Sequence, residues 1–325
     1  MNRPFLPPHH SVLAADALAS QLTDRYALGD EVHVTLWVRG MNDVYLVRTG
    51  QERCALRVYR ANWHSAADID DEIAFLCHLA DRGFPVAAPI AGRDGHFRFR
   101  VSAFEGVRDA VLFSWIEGRE LREQPTPTLG GIAGTWIARI HCLPPFRDGT
   151  RRQTDYVGLL SRELPAFLDL ISDATTRAWC SSAANTLLDR LRAALLMLPR
   201  GAVHGDCHAG NFFVRPSGDL AILDFDNSGE GAFVEDLACL RWSAQFCNLP
   251  QAFITAFRGG YEQIRLLTPN ETAAIPLFVA ARQQWWFGGV AANANAIGAG
   301  LLLGGGLAAQ IERFKRYLAA ADIAV

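Results

Sequence analysis

Six side chains that could do chemistry crowd into one stretch of the chain, Ala202 to Asn227, which reads AVHGDCHAGNFFVRPSGDLAILDFDN. A carboxylate such as Asp206 can take a proton from a hydroxyl, and the side-chain oxygens of Asn211 and Asp224 suit a hard cation. Mg²⁺ usually takes only one or two protein ligands and completes its shell with water and phosphate oxygens. His204, His208 and Asp226 stand close by as supporting groups.

The spacing makes the chemistry more specific. His204, Asp206 and Asn211 follow the His-x-Asp-x-x-x-x-Asn pattern of a phosphoryl-transfer loop, in which the Asp accepts the acceptor's proton and the Asn holds magnesium. Asp224-Phe225-Asp226 stands where such enzymes keep a second magnesium ligand. The apolar runs Asn211–Val214 and Leu220–Leu223 flank Pro216-Ser217-Gly218-Asp219, whose Pro and Gly are turn formers, so they read as a hairpin. Its open end brings Asn211 and Asp224 together. A metal-dependent hydrolase built on His204, Asp206 and His208 would need further zinc or iron ligands. No second His or Cys cluster follows, and Asp224 and Asp226 suit Mg²⁺ better. A serine hydrolase is disfavoured because there is no Gly-x-Ser-x-Gly elbow.

The elements that must position these residues begin upstream. From Glu31 the pattern is that of three antiparallel strands, VHVTLWV, VYLVRT and CALRVYR, with turns at residues 39–43 and at Gly50. Alternation in the third strand points Leu56 and Val58 one way and Ala55, Arg57 and Tyr59 the other. Ala66 to Arg82 reads as an amphipathic helix whose apolar stripe, Ile69, Ile73, Leu76, Leu79 and Ala80, contains Glu72 but neither Asp70 nor Asp71. An inward carboxylate needs a partner. His96 to Val101 and Ala110 to Glu117 read as two further strands.

HGDCHAGN with the later LDFD resembles the aminoglycoside phosphotransferase family, and in particular its stress response kinase branch. A second stretch, RVYRANWHSAADIDDEIAFLCHLADRGFPVAAPI, runs parallel to that branch without an obvious gap. The resemblance implies an α+β, two-lobed protein-kinase-like fold, with a small antiparallel β lobe carrying one main helix and a larger, mostly helical C-terminal lobe. Residues 1–30 are then an N-terminal extension, 31–117 the ATP-binding lobe and 118–325 the catalytic and substrate-binding lobe. ATP and Mg²⁺ are the implied cofactors, with ATP bound between the lobes. Arg57 takes the place of the family's phosphate-contacting lysine, paired to Glu72. Trp115 and Ile116, in the implied inter-lobe linker, flank the adenine, and Asp236 braces the catalytic loop from the start of a later helix.

Composition adds limits. Half of the 325 residues are hydrophobic, enough for two cores. The net charge of -3 gives no electrostatic case for a nucleic acid or anionic membrane partner. The most apolar late run, Ala296 to Ala309, is too short and Gly-interrupted to span a bilayer, and the start lacks a leader pattern, so a cytoplasmic location is expected. Seven scattered cysteines without a CxxC pair argue against a disulfide framework. The only lysine is Lys315, so 30 of the 31 basic residues are arginine.

Outside the site, Ala14 to Tyr26 reads as a short helix, and from Leu129 the chain turns helical. Ile132, Trp136, Ile137 and Ile140 form one side of a long helix from Gly130 to Leu143. Helices are also expected around 158–171, 183–198, 250–267 and 270–287, with Gly288 to Gly306 as a connection before a last helix at 307–321. The expected reaction is transfer of the γ-phosphate of ATP to a hydroxyl, on a protein Ser/Thr or on a small molecule. Asp206 is the base, Asn211 and Asp224 hold the metal, and Arg57 steadies the phosphates. The rival reading is a pseudokinase-like nucleotide-binding module, suggested by the single Gly40 where a glycine triplet would stand and by Arg57 in place of lysine.

Overall fold

The computed structural model describes residues 6, 8–29, 31–50, 52–146, 151–298, 300 and 306–323. The chain divides into two compact units, Met1–Glu117 and Gly118–Val325.

The first unit is built on a five-stranded antiparallel sheet in the order β1-β2-β3-β5-β4. Its strands are β1 His33–Arg39, β2 Asp43–Arg48, β3 Arg53–Val58, β4 Arg98–Ala103 and β5 Gly106–Ser114. β3 is therefore central, hydrogen-bonded to β2 on one side and to β5 on the other. The alternation expected for β3 holds: Leu56 and Val58 are fully buried in a cluster with Leu18 and Leu22 of helix α1, Ala15–Arg25, and with Tyr26 just beyond it. Residues 1–30 thus include a helix that covers one sheet face. Helix α2, Ala66–Asp81, opens on a capping box between Ser65 and Asp68 and buries Ile69, Glu72, Ile73, Phe75, Leu76 and Leu79. The β4–β5 hairpin departs from expectation: β5 begins at Gly106 rather than Ala110 and stops at Ser114, before Trp115. The turn uses Gly106 at φ 129, in the left-handed half of the map where glycine has no steric penalty.

The second unit is mostly helical, with α3 Pro127–His141, α4 Tyr156–Asp169, α5 Ala174–Leu195, α6 Val234–Phe246, α7 Gln251–Glu262, α8 Pro269–Ala292 and a last helix Leu307–Ala320. Short strands interrupt them: β6 Arg119–Glu120, β7 Arg200–Val203, β8 Phe212–Val214, β9 Leu220–Ile222 and β10 Gly229–Ala232. β6-β8-β9 form one sheet and β7 pairs with β10 in another. The core gathers Phe167, Leu187, Leu191, Phe278, Phe287 and Phe314.

Two helical expectations need correction. The buried face of α3 is Leu129, Gly130, Ala133, Gly134, Ile137, Ala138, Ile140 and His141, while Ile132 and Trp136 are only partly buried. The face is set by small residues: a Cβ on Gly134 would collide with the Phe257 carbonyl, and one on Gly260 with the Gly131 carbonyl, so α3 and α7 approach backbone to backbone. α8 also runs past Phe287 to Ala292, through Gly288 and Gly289. Gly288 is accepted there because a Cβ would lie 2.9 Å from that of Glu163 on α4, so glycine allows the two helices to close. Much of the remaining connection, 299 and 301–305, lies outside the described residues. No helix among the described residues is long and apolar enough to cross a membrane.

Candidate active site

Strand β7 ends at Val203 and delivers His204 and Gly205 to the head of α6. There the buried Asp236 carboxylate accepts the backbone N–H of His204 at 2.7 Å on Oδ2 and that of Gly205 at 2.9 Å on Oδ1. His141 of α3 reaches the same Oδ2 through Nε2 at 3.0 Å, and its Nδ1 meets the Tyr261 hydroxyl at 2.8 Å. Burial works to raise the Asp236 carboxyl, but the hydrogen bond and charge of His141, joined by His204, outweigh it and hold it below the usual value. The loop therefore hangs from an ionised side chain rooted in a helix start. Gly205 has φ +79, and a Cβ there would strike the Asn227 carbonyl, so only glycine fits.

His204 is fixed on both ring nitrogens. Nδ1 accepts the Asp206 N–H at 3.2 Å, which leaves Nε2 to donate to the Leu223 carbonyl at 2.9 Å. Its ring lies 4.4 Å from Phe225. His208 turns inward to accept the Gly210 N–H on Nδ1 at 3.0 Å, and burial, against the pull of Asp206, holds its imidazole below the ordinary value. Both histidines organise the backbone.

Asn211 donates its side-chain N–H to the Asp206 carbonyl at 2.9 Å, and its own carbonyl accepts Leu223 N–H at 2.8 Å. The β8–β9 register pairs Phe212 with Ile222, so Asn211 stands opposite Leu223, one residue from Asp224. With the amide nitrogen used, Asn211 Oδ1 makes no hydrogen bond among the described residues. Asp224 has φ 64, a left-handed conformation uncommon outside glycine, as the chain swings out of β9. Such outliers gather at functional sites. Asp226 is buried; its Oδ1 accepts from Asn227 at 2.9 Å and its carbonyl from Arg152 at 2.8 Å.

Asp206, the centre of the motif, has a partner that the sequence motif does not announce. Arg282, on α8, forms an ion pair from Nη2 to Asp206 Oδ1. Cys239 of α6 points Sγ at the same oxygen from 3.8 Å. Burial raises the Cys239 thiol far above its ordinary value, so it stays protonated as a donor. The available signal was charge spacing: between Glu271 and Glu312 the sequence contains no charged residue except Arg282. A lone charge in so apolar a stretch must find a counterion. Nearby, Glu163 Oε2 and both polar atoms of the Gln284 amide are buried with no hydrogen-bond partner among the described residues, and burial pushes the Glu163 carboxyl up to about 7.

In the first unit, Arg57 and Glu72 meet as the sequence pattern anticipates. Arg57 Nη1 lies 2.8 Å from Glu72 Oε1, and the Tyr59 hydroxyl donates to Oε2 at 2.7 Å, so both carboxylate oxygens are engaged. The Arg57 guanidinium also faces the Phe113 ring at 5.3 Å. Trp115 and Ile116 follow β5 and are partly buried; Trp115 donates to Glu117 at 3.1 Å and meets Trp37 edge-on at 5.3 Å.

The fold is that of protein-kinase-like enzymes. The microcompartment-associated aminopropanol kinase matches with a TM-score of 0.71 over 95% of this chain and 99% of its own, at 22% identity. Amicoumacin kinase, solved with AMP-PNP, Ca²⁺ and amicoumacin, gives 0.72 over 93% and 92% at 20% identity. The model of the APH phosphotransferase enzyme family matches residues 39–267, and the chain belongs to that family. It is a phosphotransferase of the kinase type, with an alcohol group as acceptor. A Deinococcus radiodurans protein without an assigned function is 36% identical over 298 residues, covering 90% of this chain and 86% of its own. The homoserine kinase of Methylobacillus flagellatus is 28% identical over 270 residues, 80% of each chain.

Proposed function

We propose that the protein transfers the γ-phosphoryl group of ATP to a hydroxyl of a small polar molecule, with Mg²⁺ as the metal. The observation that carries this reading is the Asp206 carboxylate: one oxygen is held by Arg282, and the other, among the described residues, has only His208 Nε2, 3.8 Å away. Asp206 Oδ2 takes the acceptor's proton while the acceptor oxygen bonds to phosphorus and the β–γ bridging oxygen leaves with ADP. Asn211 Oδ1 and the Asp224 carboxylate are the ligands for Mg²⁺: an amide turned by its own hydrogen bond and a carboxylate at an outlying φ offer the oxygens this ion prefers. When bound, Mg²⁺ neutralises charge on the phosphate oxygens. Arg57, held by Glu72, contacts nucleotide phosphates; Trp115 and Ile116 contact the base; Asp236 and His204 hold the loop in shape.

A small-molecule acceptor is favoured over a protein Ser/Thr because named relatives and fold neighbours include homoserine, aminopropanol and choline kinases. The buried, unpartnered Glu163 oxygen would suit an amine on such an acceptor. The test measures Mg²⁺-dependent ATP turnover of the full chain with homoserine, 1-amino-2-propanol, choline and a generic protein substrate, alongside Asp206→Asn. Acceptor-dependent turnover should fall by about 10²- to 10⁴-fold in the variant, the scale of a lost general base. Nucleotide binding without transfer, equal in both proteins, would favour the pseudokinase-like reading instead, and labelling of protein alone would overturn the small-molecule acceptor.

A further inference from the structure

We infer that Arg282 is a positioning residue for phosphoryl transfer, turning the Asp206 carboxylate so that Oδ2 is presented to the acceptor hydroxyl. The inference rests on the phosphotransfer reading above and adds a residue from a helix that the loop motif does not contain.

The geometry constrains the carboxylate from one side. Arg282 Nη2 and the Cys239 thiol both address Oδ1, while the Asp206 carbonyl is tied to Asn211 and its N–H to His204. Rotation of the carboxylate about its last torsion would break the Arg282 pair. The guanidinium itself has little freedom: Arg282 is 2% exposed, and the group lies over the Trp285 ring at 3.7 Å, with Trp242 at 5.5 Å. Stacked on an aromatic face, a planar fork offers its N–H groups in one plane only.

That plane is held by neighbours on α6 and α8. Trp242 donates to the Gln283 side-chain oxygen at 2.8 Å, and Gln283 in turn reaches Gln310 of the last helix at 3.3 Å. The aromatic pair and its amide partners thus lock α6, α8 and the final helix around one cation. A buried guanidinium is too costly to keep unless a carboxylate neutralises it, and Asp206 is its carboxylate. An ion pair serving only to join α8 to the loop would need no particular oxygen. Here the engaged oxygen is the one turned from His208, and the other is left for an incoming hydroxyl.

The experiment is a double-mutant cycle with Arg282→Met, Asp206→Asn and the combined variant, with Arg282→Lys as the conservative change. Single-turnover transfer from labelled ATP measures the residual rates, and melting curves establish that each variant is folded. Arg282→Met should lower kcat about 100-fold while leaving the KM for ATP within about twofold, and Arg282→Lys should recover about tenfold of that loss. In the Asp206→Asn background Arg282→Met should cost less than about twofold more, because the group it orients is gone. Equal losses in both backgrounds, or a rise in the KM for ATP without a fall in kcat, would overturn the inference while leaving the phosphotransfer reading intact. If Arg282→Met does not fold, the same comparison is made with Arg282→Lys. Wild-type protein that passes phosphate to none of the acceptors sinks both.

Discussion

Arg57 and Glu72 are brought together by two different periodicities, the two-residue alternation of β3 and the 3.6-residue turn of α2. This is why the pair was legible in the sequence. β3 lies at the centre of its sheet, and Tyr59, on the same strand face, takes the second Glu72 oxygen. Arg57→Met should raise the KM for ATP by roughly 10- to 100-fold, the range expected when a hydrogen bond to a charged group is lost; an unchanged KM would remove Arg57 from the nucleotide site. Arg282 was not legible in the same way. It lies 76 residues from Asp206, and no local pattern predicts which loop a lone buried charge will find. Glu235, beside Asp236, shows the opposite behaviour to its neighbour: burial raises its carboxyl to about 8. It stays neutral in the fold but ionises when unfolded, so its contribution is complete below about pH 4.5 and is lost as pH rises toward 8. Glu235→Gln should therefore gain stability relative to wild type between pH 5 and about 8, read from urea midpoints at each pH.

At the scale of elements, helix starts and strand ends do the positioning. α6 begins at Val234, and the third helical residue is Asp236, which takes two loop N–H groups and one imidazole. Asp236→Ala should cost about 3–5 kcal/mol in unfolding free energy, the usual penalty for breaking a buried charged network; a loss below about 1 kcal/mol would mean the loop holds itself. The buried face of α3 was misread because apolar size was followed where small size mattered. Gly134→Ala should destabilise by about 1–3 kcal/mol through overpacking against Phe257, and a neutral result in thermal melts would refute the close approach. Composition misled again at Gly288 and Gly289, where glycines that suggested a break instead admit Glu163 against a continuing helix.

For the molecule as a whole, the sequence carried the α+β class and the hairpin that brings Asn211 beside Asp224 because local patterns determine them, while the helical packing of 118–325 depends on distant contacts. The near absence of lysine shows in the ion pairs of this chain. Guanidinium groups hold Glu72, Asp206, Asp70 and Asp43, and the sole lysine pairs with Glu312 on the last helix. This gives the Arg57–Glu72 pair an outcome in chemical labelling. A guanidinium keeps its proton throughout the physiological range and is a poor nucleophile. Acylating ATP analogues that mark kinases through a phosphate-side amine would therefore find no such amine on β3, and among side chains the label would be confined to Lys315. A nucleotide-blocked acylation at any other side-chain amine is chemically unavailable to this chain, which makes Arg57→Lys a way of installing a labelling site as well as a test of the arginine.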